Sequence, residues 1–141
     1  MITTTEITVR YAETDQMGIV HHSNYPIWYE VGRTEFIKAF GMTYSAFEKQ
    51  GLILPLLEMD SKFIQPAFYE DELIIHTRAQ SANCVKLVFY YEIYRKSDEK
   101  LINTGHTIHG IVEKNMRPCN IKKKYPKIYD MIMNMVHNSE V

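Results

Sequence analysis

Cysteine is scarce in this sequence and a long apolar run is missing, and each shortage removes a class of protein. Cys84 and Cys119 stand alone, with no Cys-x-x-Cys pair and no fixed spacing to a histidine. A zinc ribbon or redox pair is therefore not encoded, and two ordinary thiols suit a cytoplasmic protein. No stretch approaches the ~18 apolar residues of a membrane span. The opening from Met1 to Glu6 has neither the basic region nor the apolar segment of a signal peptide. Net charge is −1, so no global field favours nucleic acid or a membrane surface. Ser-His-Asp ordering, a glycine-rich phosphate loop and internal repeats are also missing.

What is present suits a single domain over residues 1–141, with 45% apolar content to build a core. Ile7, Val9 and Tyr11 alternate with polar neighbours and predict a first strand. A helix is expected from about Asn24 to Phe40, capped by Ser23 or Asn24, with Pro26 tolerable in its first turn. Its stripe is Tyr25, Trp28, Gly32, Phe36 and Ala39, flanked by Ile27, Val31 and Phe40. A short helix follows over Thr43 to Gln50. Strands are expected at Leu52–Phe63, Leu73–Ser81, Val85–Tyr94 and Leu101–Val112, the third alternating most cleanly. Pro118 and Pro126 bracket a basic linker, and Ile128, Met131, Ile132, Met135 and Val136 mark an amphipathic C-terminal helix. About five strands in one antiparallel sheet, curled around one long helix, satisfy this α+β order.

The chemistry concentrates between Tyr11 and Tyr25. Asp15 and then Gly18 lie in a polar turn after the first strand, and a second turn, His21-His22-Ser23-Asn24, opens the helix. A carboxylate facing a helix start can act as base or nucleophile, while unpaired N–H groups there hold a developing oxyanion. An ordinary aspartate is ionised at neutral pH without special tuning. The plainer alternative has Asp15 capping a turn and His22 capping the helix. Gly18 permits a turn that brings the following backbone against a ligand.

The pattern Tyr-x-Glu-Thr-Asp-x-x-Gly-x-Val-x-His-x-Asn-Tyr, followed by Trp-Tyr-Glu-x-x-Arg, resembles the signature of the 4-hydroxybenzoyl-CoA thioesterase family, in its bacterial branch with histidine in the second turn. The similarity extends over nearly the whole chain. It implies a hotdog fold, hydrolysis of an acyl-CoA to a carboxylic acid and free coenzyme A, and no metal or redox cofactor. By the same resemblance Asp15 is base or nucleophile, and the His22 N–H is the oxyanion donor, with its side chain polarising the thioester or orienting water. Two such units are implied to pair edge to edge, as a homodimer or a tetramer of dimers, and Tyr90 and Tyr94 on the outer strand face suit further association. The alternatives are a non-catalytic acyl-thioester-binding protein, an acyl carrier protein thioesterase and a CoA-ester hydratase.

Further residues carry weaker signals. Tyr25 and Trp28 can line an acyl pocket or belong to the core. Glu13, two residues before Asp15, is not a glycosidase partner, because such acids come from separate elements. Glu30 and Arg33 are spaced to pair on the helix, and Glu30 is a minor rival acid. His106 and His109 face opposite sides of a strand and cannot share a metal ion. Lys122, Lys123 and Lys124 precede the C-terminal helix, where their charge opposes its dipole, so the phosphates of coenzyme A are a candidate anion.

Overall fold

A computed structural model describes residues 2–139. The chain runs β1 (Thr3–Thr8), a 3-10 turn (Tyr11–Glu13), α1 (Asn24–Ala39), α2 (Tyr44–Lys49), β2 (Leu52–Ile53), β3 (Leu56–Phe63), β4 (Glu72–Ala82), β5 (Lys86–Arg95), β6 (Lys100–Gly110), β7 (Val112–Glu113), α3 (Ile121–Lys124) and α4 (Pro126–Ser139). Five strands form one sheet in the order β1-β4-β5-β6-β3, and β2 pairs with β7 in a separate ladder. Every pairing in the large sheet is antiparallel. This is the hotdog arrangement expected from the sequence, a sheet wrapped around α1.

Alternation on β4 and β5 decides which face meets the helix. Leu73, Ile75, Thr77 and Ala79, with Leu87, Phe89, Tyr91 and Ile93, are all buried. Against them α1 sets Tyr25, Trp28, Tyr29, Gly32, Phe36 and Ile37. The buried stripe is rotated from the one expected. Ile27 and Val31 face outward, while Tyr29 turns in and stacks on Tyr91 with ring centroids 4.4 Å apart. The Tyr29 hydroxyl can be buried because Asn103 and Ser61 receive it. Gly32 has a steric reason, since a Cβ there would lie 2.5 Å from Thr77 Oγ1. The helix thus approaches β4 more closely than any side chain allows.

Four boundaries differ from expectation. Strand β1 ends at Thr8, and Tyr11 is exposed in the 3-10 turn rather than on a strand. Leu52–Phe63 is broken at Leu54-Pro55, so β2 leaves the sheet and pairs with β7; a proline has no N–H for a continuous ladder. The basic linker contains a helical turn, α3, whose Ile121 is buried and whose start is capped by Asn120. Neither Ser23 nor Asn24 accepts a capping hydrogen bond at the start of α1. On the other side, α4 buries Ile128, Ile132, Met135 and Val136, as its periodicity predicts.

Arg33 does not pair with Glu30. Its Nη1 donates to the Tyr91 hydroxyl at 3.1 Å. That bond begins a buried chain, in which Tyr91 Oη meets Thr107 Oγ1 at 2.6 Å and Thr107 Oγ1 meets His109 Nε2 at 2.9 Å. His109 Nδ1 reaches the Leu54 carbonyl at 3.1 Å. Arginine can only donate and a carbonyl can only accept, so every hydroxyl between them has its direction set. His109 therefore carries its proton on Nδ1 and accepts at Nε2.

Burial, with the Arg33 charge adding to it, pushes the His109 imidazole down to about 4. Between that value and the ordinary 6.5, the unfolded chain binds a proton that the folded chain refuses. Stability is therefore complete above the ordinary value and falls as pH drops through this window, by up to about 3 kcal/mol. Denaturant unfolding of wild type and His109→Gln across the window checks this, and the variant is expected to lose most of the slope.

Candidate active site

The Asp15 turn is a small hairpin closed by a bridge between Thr14 and Val20. Asp15 N–H donates to the Ile19 carbonyl at 2.9 Å, and Gly18 N–H donates to the Asp15 carbonyl at 2.9 Å. Gly18 sits at φ 80° with open space where a Cβ would be. The turn, not crowding, requires glycine there. Asp15 Oδ1 accepts the Met17 N–H at 2.9 Å. One carboxylate oxygen thus performs the capping role considered from sequence, while Oδ2 has no hydrogen-bond partner among the described residues.

The second turn is fastened to the first by Glu13. Its carbonyl accepts the His21 N–H at 2.8 Å and the Asn24 side-chain amide at 2.9 Å. Its carboxylate is buried; Oε1 takes the Arg10 N–H at 2.8 Å and Oε2 takes the Trp28 indole N–H at 3.1 Å. A buried carboxylate needs such donors, and charged acceptors make the stronger bonds. Trp28 therefore serves as an anchor for Glu13 and does not line the site. Sequence reasoning weighed Glu13 only as a second catalytic acid. The signal for its actual role was an acid within a segment whose partner, the lone tryptophan, lies on the following helix.

His22 lies against His21 with ring centroids 4.1 Å apart and the rings tilted by 31°. His21 Nδ1 accepts the Ser23 N–H at 3.2 Å and lies 2.8 Å from Ser23 Oγ, which fixes that ring beneath its neighbour. The His22 N–H has no hydrogen-bond partner among the described residues, although those of His21, Ser23 and Asn24 all do. Asp15 and His22 border one depression of about 380 Å³ with Tyr25, Phe63 and Gln65. Tyr25 meets Phe63 edge-on at 5.1 Å, and burial pushes its hydroxyl up to about 12, so it stays protonated.

Of the residues singled out from sequence, Asp15, His22 and Tyr25 are brought together at this depression, with Gly18 shaping its turn. The three lysines are not. They lie on α3, where Lys124 Nζ pairs with Glu113 at 2.7 Å and Lys122 Nζ rests 5.7 Å from the Tyr129 ring centre. His106 contacts Asp60 on the outer sheet face, while His109 is buried on the inner one, as strand geometry requires. Among the described residues, no group of three or more His, Cys, Asp or Glu could hold a metal ion.

Residues 9–134 match the family model described as the Thioesterase-like superfamily. YneP of Bacillus subtilis (strain 168), provisionally named an acyl-CoA thioesterase, is 39% identical over 121 residues, covering 86% of this chain and 88% of that protein. The acyl-CoA thioester hydrolase YbgC of Escherichia coli O157:H7 is 27% identical over 118 residues, covering 83% of this chain and 87% of that protein. A DHNA-CoA thioesterase from Staphylococcus aureus superposes with a TM-score of 0.88 at 28% identity, over 99% of this chain and 96% of that one.

Replacing Glu13 with glutamine leaves one oxygen for two donors and turns an amide NH₂ toward either Arg10 N–H or the Trp28 indole. Glu13→Gln is expected to cost about 1–3 kcal/mol. The lone indole N–H gives a single resonance in an amide correlation spectrum, and it should shift and lose exchange protection in the variant. An unchanged indole signal would show that this hydrogen bond does not hold the turn.

Proposed function

We propose that this chain, which belongs to the thioesterase-like superfamily, hydrolyses acyl-CoA to a carboxylic acid and free coenzyme A, with Asp15 as its reacting carboxylate. It is a thioester hydrolase, and we read its motif as resembling that of the 4-hydroxybenzoyl-CoA thioesterase family, in the branch with histidine in the second turn. One observation carries the role of Asp15: Asp15 and His22 line the same depression, and among the described residues one carboxylate oxygen of the first and the backbone N–H of the second have no hydrogen-bond partner.

The chemistry follows from those two groups. The substrate carbonyl accepts the His22 N–H, and negative charge develops on that oxygen as the carbonyl carbon becomes tetrahedral. Asp15 Oδ2 either attacks the carbon, giving an acyl anhydride that water opens, or takes the proton of an attacking water. In both routes the carbon–sulfur bond breaks and the thiolate leaves, taking up a proton. A thiolate is a good leaving group, so a carboxylate can serve as nucleophile or base with no metal or redox cofactor. Unpaired Cys84 and Cys119 fit action in a reducing cytoplasm.

The active unit we propose is a dimer, or a tetramer of dimers, joined along β3. That strand is bonded only to β6, and Leu56, Leu57, Met59 and Phe63 on it are exposed. An open apolar edge is a template for a second chain. Phe63 belongs both to this edge and to the depression, so pairing there would put the partner beside the site. Light scattering should give at least a dimer mass for the wild type and a smaller species for Leu57→Lys/Met59→Lys. A monomeric wild type at micromolar concentration would remove this assembly.

The catalytic assignment is tested by thiol release from short-chain, long-chain and aromatic acyl-CoAs, with wild type and Asp15→Asn side by side. Asn preserves shape and the Met17 contact but removes the charge. A loss in kcat of about a hundredfold or more is expected. Binding of acyl-CoA by both proteins without thiol release would leave a binding module in place of an enzyme.

A further inference from the structure

The Gln65 side chain borders the depression with one end already committed. Its Oε1 accepts from Arg95 Nη2 at 3.2 Å. Arginine has no acceptor, so this bond settles which end of the amide faces it. The other end, Nε2, has no hydrogen-bond partner among the described residues, and it is not among the side-chain atoms sealed away from solvent. The backbone is equally settled, because Gln65 N–H donates to the Ile102 carbonyl at 3.1 Å. Arg95 is itself only 13% exposed, and its Nε lies 3.5 Å from Asp98. Arg95 Nε is buried with no hydrogen-bond partner among the described residues, so it is burial that restrains the guanidinium and with it the amide in front.

Away from Asp15, His22, Tyr25 and Gln65 the wall of the depression is apolar. Ile19, Val20, Phe63, Ile64 and Pro66 surround it. At about 380 Å³ the depression is near the lower end of small-molecule sites. It holds one compact acyl group and falls well short of a whole coenzyme A thioester. A hydrocarbon acyl group would leave the Gln65 NH₂ facing carbon, stripped of water and unpaired. The protonated Tyr25 hydroxyl offers a second donor in the same wall, and the Arg95 charge behind both favours an oxygen with negative character.

We propose that Gln65, aimed by Arg95, is a specificity-determining contact that donates from Nε2 to an oxygen carried on the acyl group. The enzyme then prefers an oxygenated acyl thioester over the hydrocarbon acyl thioester of the same size. The inference rests on the thioesterase reading above and adds the acyl class to it. Arg95 acts here as a positioning residue.

The test uses CoA thioesters that differ by one oxygen: benzoyl-CoA against its three monohydroxy isomers, and hexanoyl-CoA against 3-hydroxyhexanoyl-CoA. For wild type, kcat/KM is expected to favour at least one oxygenated member by about tenfold or more, because a site built to hydrogen-bond an oxygen rejects the analogue lacking it. In Gln65→Leu, and in Gln65→Glu, whose carboxylate pairs with Arg95 and presents no donor, that ratio should collapse toward one. Arg95→Met should reduce it in part while Gln65 remains, which simple loss of packing would not do selectively. No preference in wild type overturns the proposal. So does an equal fall across all substrates in the Gln65 variants, which would place the contact on the shared thioester or coenzyme portion. Calorimetric affinities of the same pairs for Asp15→Asn protein measure the ratio without turnover. If no substrate is hydrolysed the thioesterase reading fails, yet the affinity ratio still decides whether Gln65 selects oxygen.

Discussion

The buried carboxylate of Glu13 is the constraint on which the site depends. It takes one backbone N–H from the segment before the Asp15 turn and one indole N–H from α1, while its own carbonyl holds the start of the second turn. Four donors from three segments converge on a single residue. Asp15 and His22 lie on separate turns, and neither turn has secondary structure enough to fix its place. Their separation is set through Glu13, and through the Val20 N–H, which donates to the Ala67 carbonyl. A charged group in the interior is costly, and the cost is offset because each oxygen has a donor. The Asp15 carboxylate two residues away then keeps one oxygen without a hydrogen-bond partner among the described residues.

Much of the fold was legible because it follows from periodicity. Leu87, Phe89, Tyr91 and Ile93 had to share a face, and the helix had to bury the side containing Trp28 and Phe36. That Asp15 and His22 would border one place was readable from their spacing. The misreadings came where a polar atom found a distant partner. Tyr29 belongs to the core only because Asn103 and Ser61, on strands far along the chain, receive its hydroxyl. Arg33 reaches past its helical neighbour Glu30 to Tyr91 for the same reason. Gln65 and Arg95 are thirty residues apart, and no local pattern announces their contact. The lysine run is partly balanced in a way its own sequence does not announce, since Lys124 pairs with Glu113, eleven residues before it.

The two polar systems beneath α1 divide the interior between them. Near the start of the helix, Glu13 and Trp28 fasten the two turns that hold Asp15 and His22. Two turns further on, Arg33, Tyr91, Thr107 and His109 tie the helix through two strands to Leu54. That carbonyl belongs to the bend where Pro55 separates β2 from β3. The far chain thus fixes where the edge strand begins, and the near cluster fixes the site beside its end at Phe63.

Strand β3 has one further consequence, for the order in which the molecule is made. Its neighbour β6 is not synthesised until residues 100–110 emerge, and β1 likewise waits for β4. During that interval Leu57, Met59 and Phe63, which alternate along one side of this segment, lack the β6 partner that their strand has in the folded chain. A ribosome spaces its products by time, and a polysome spaces them by distance. Two neighbouring nascent chains would expose the same unfinished edge in the same place, where the first available match is another copy. The rate at which β6 arrives therefore competes with the rate of encounter between growing chains.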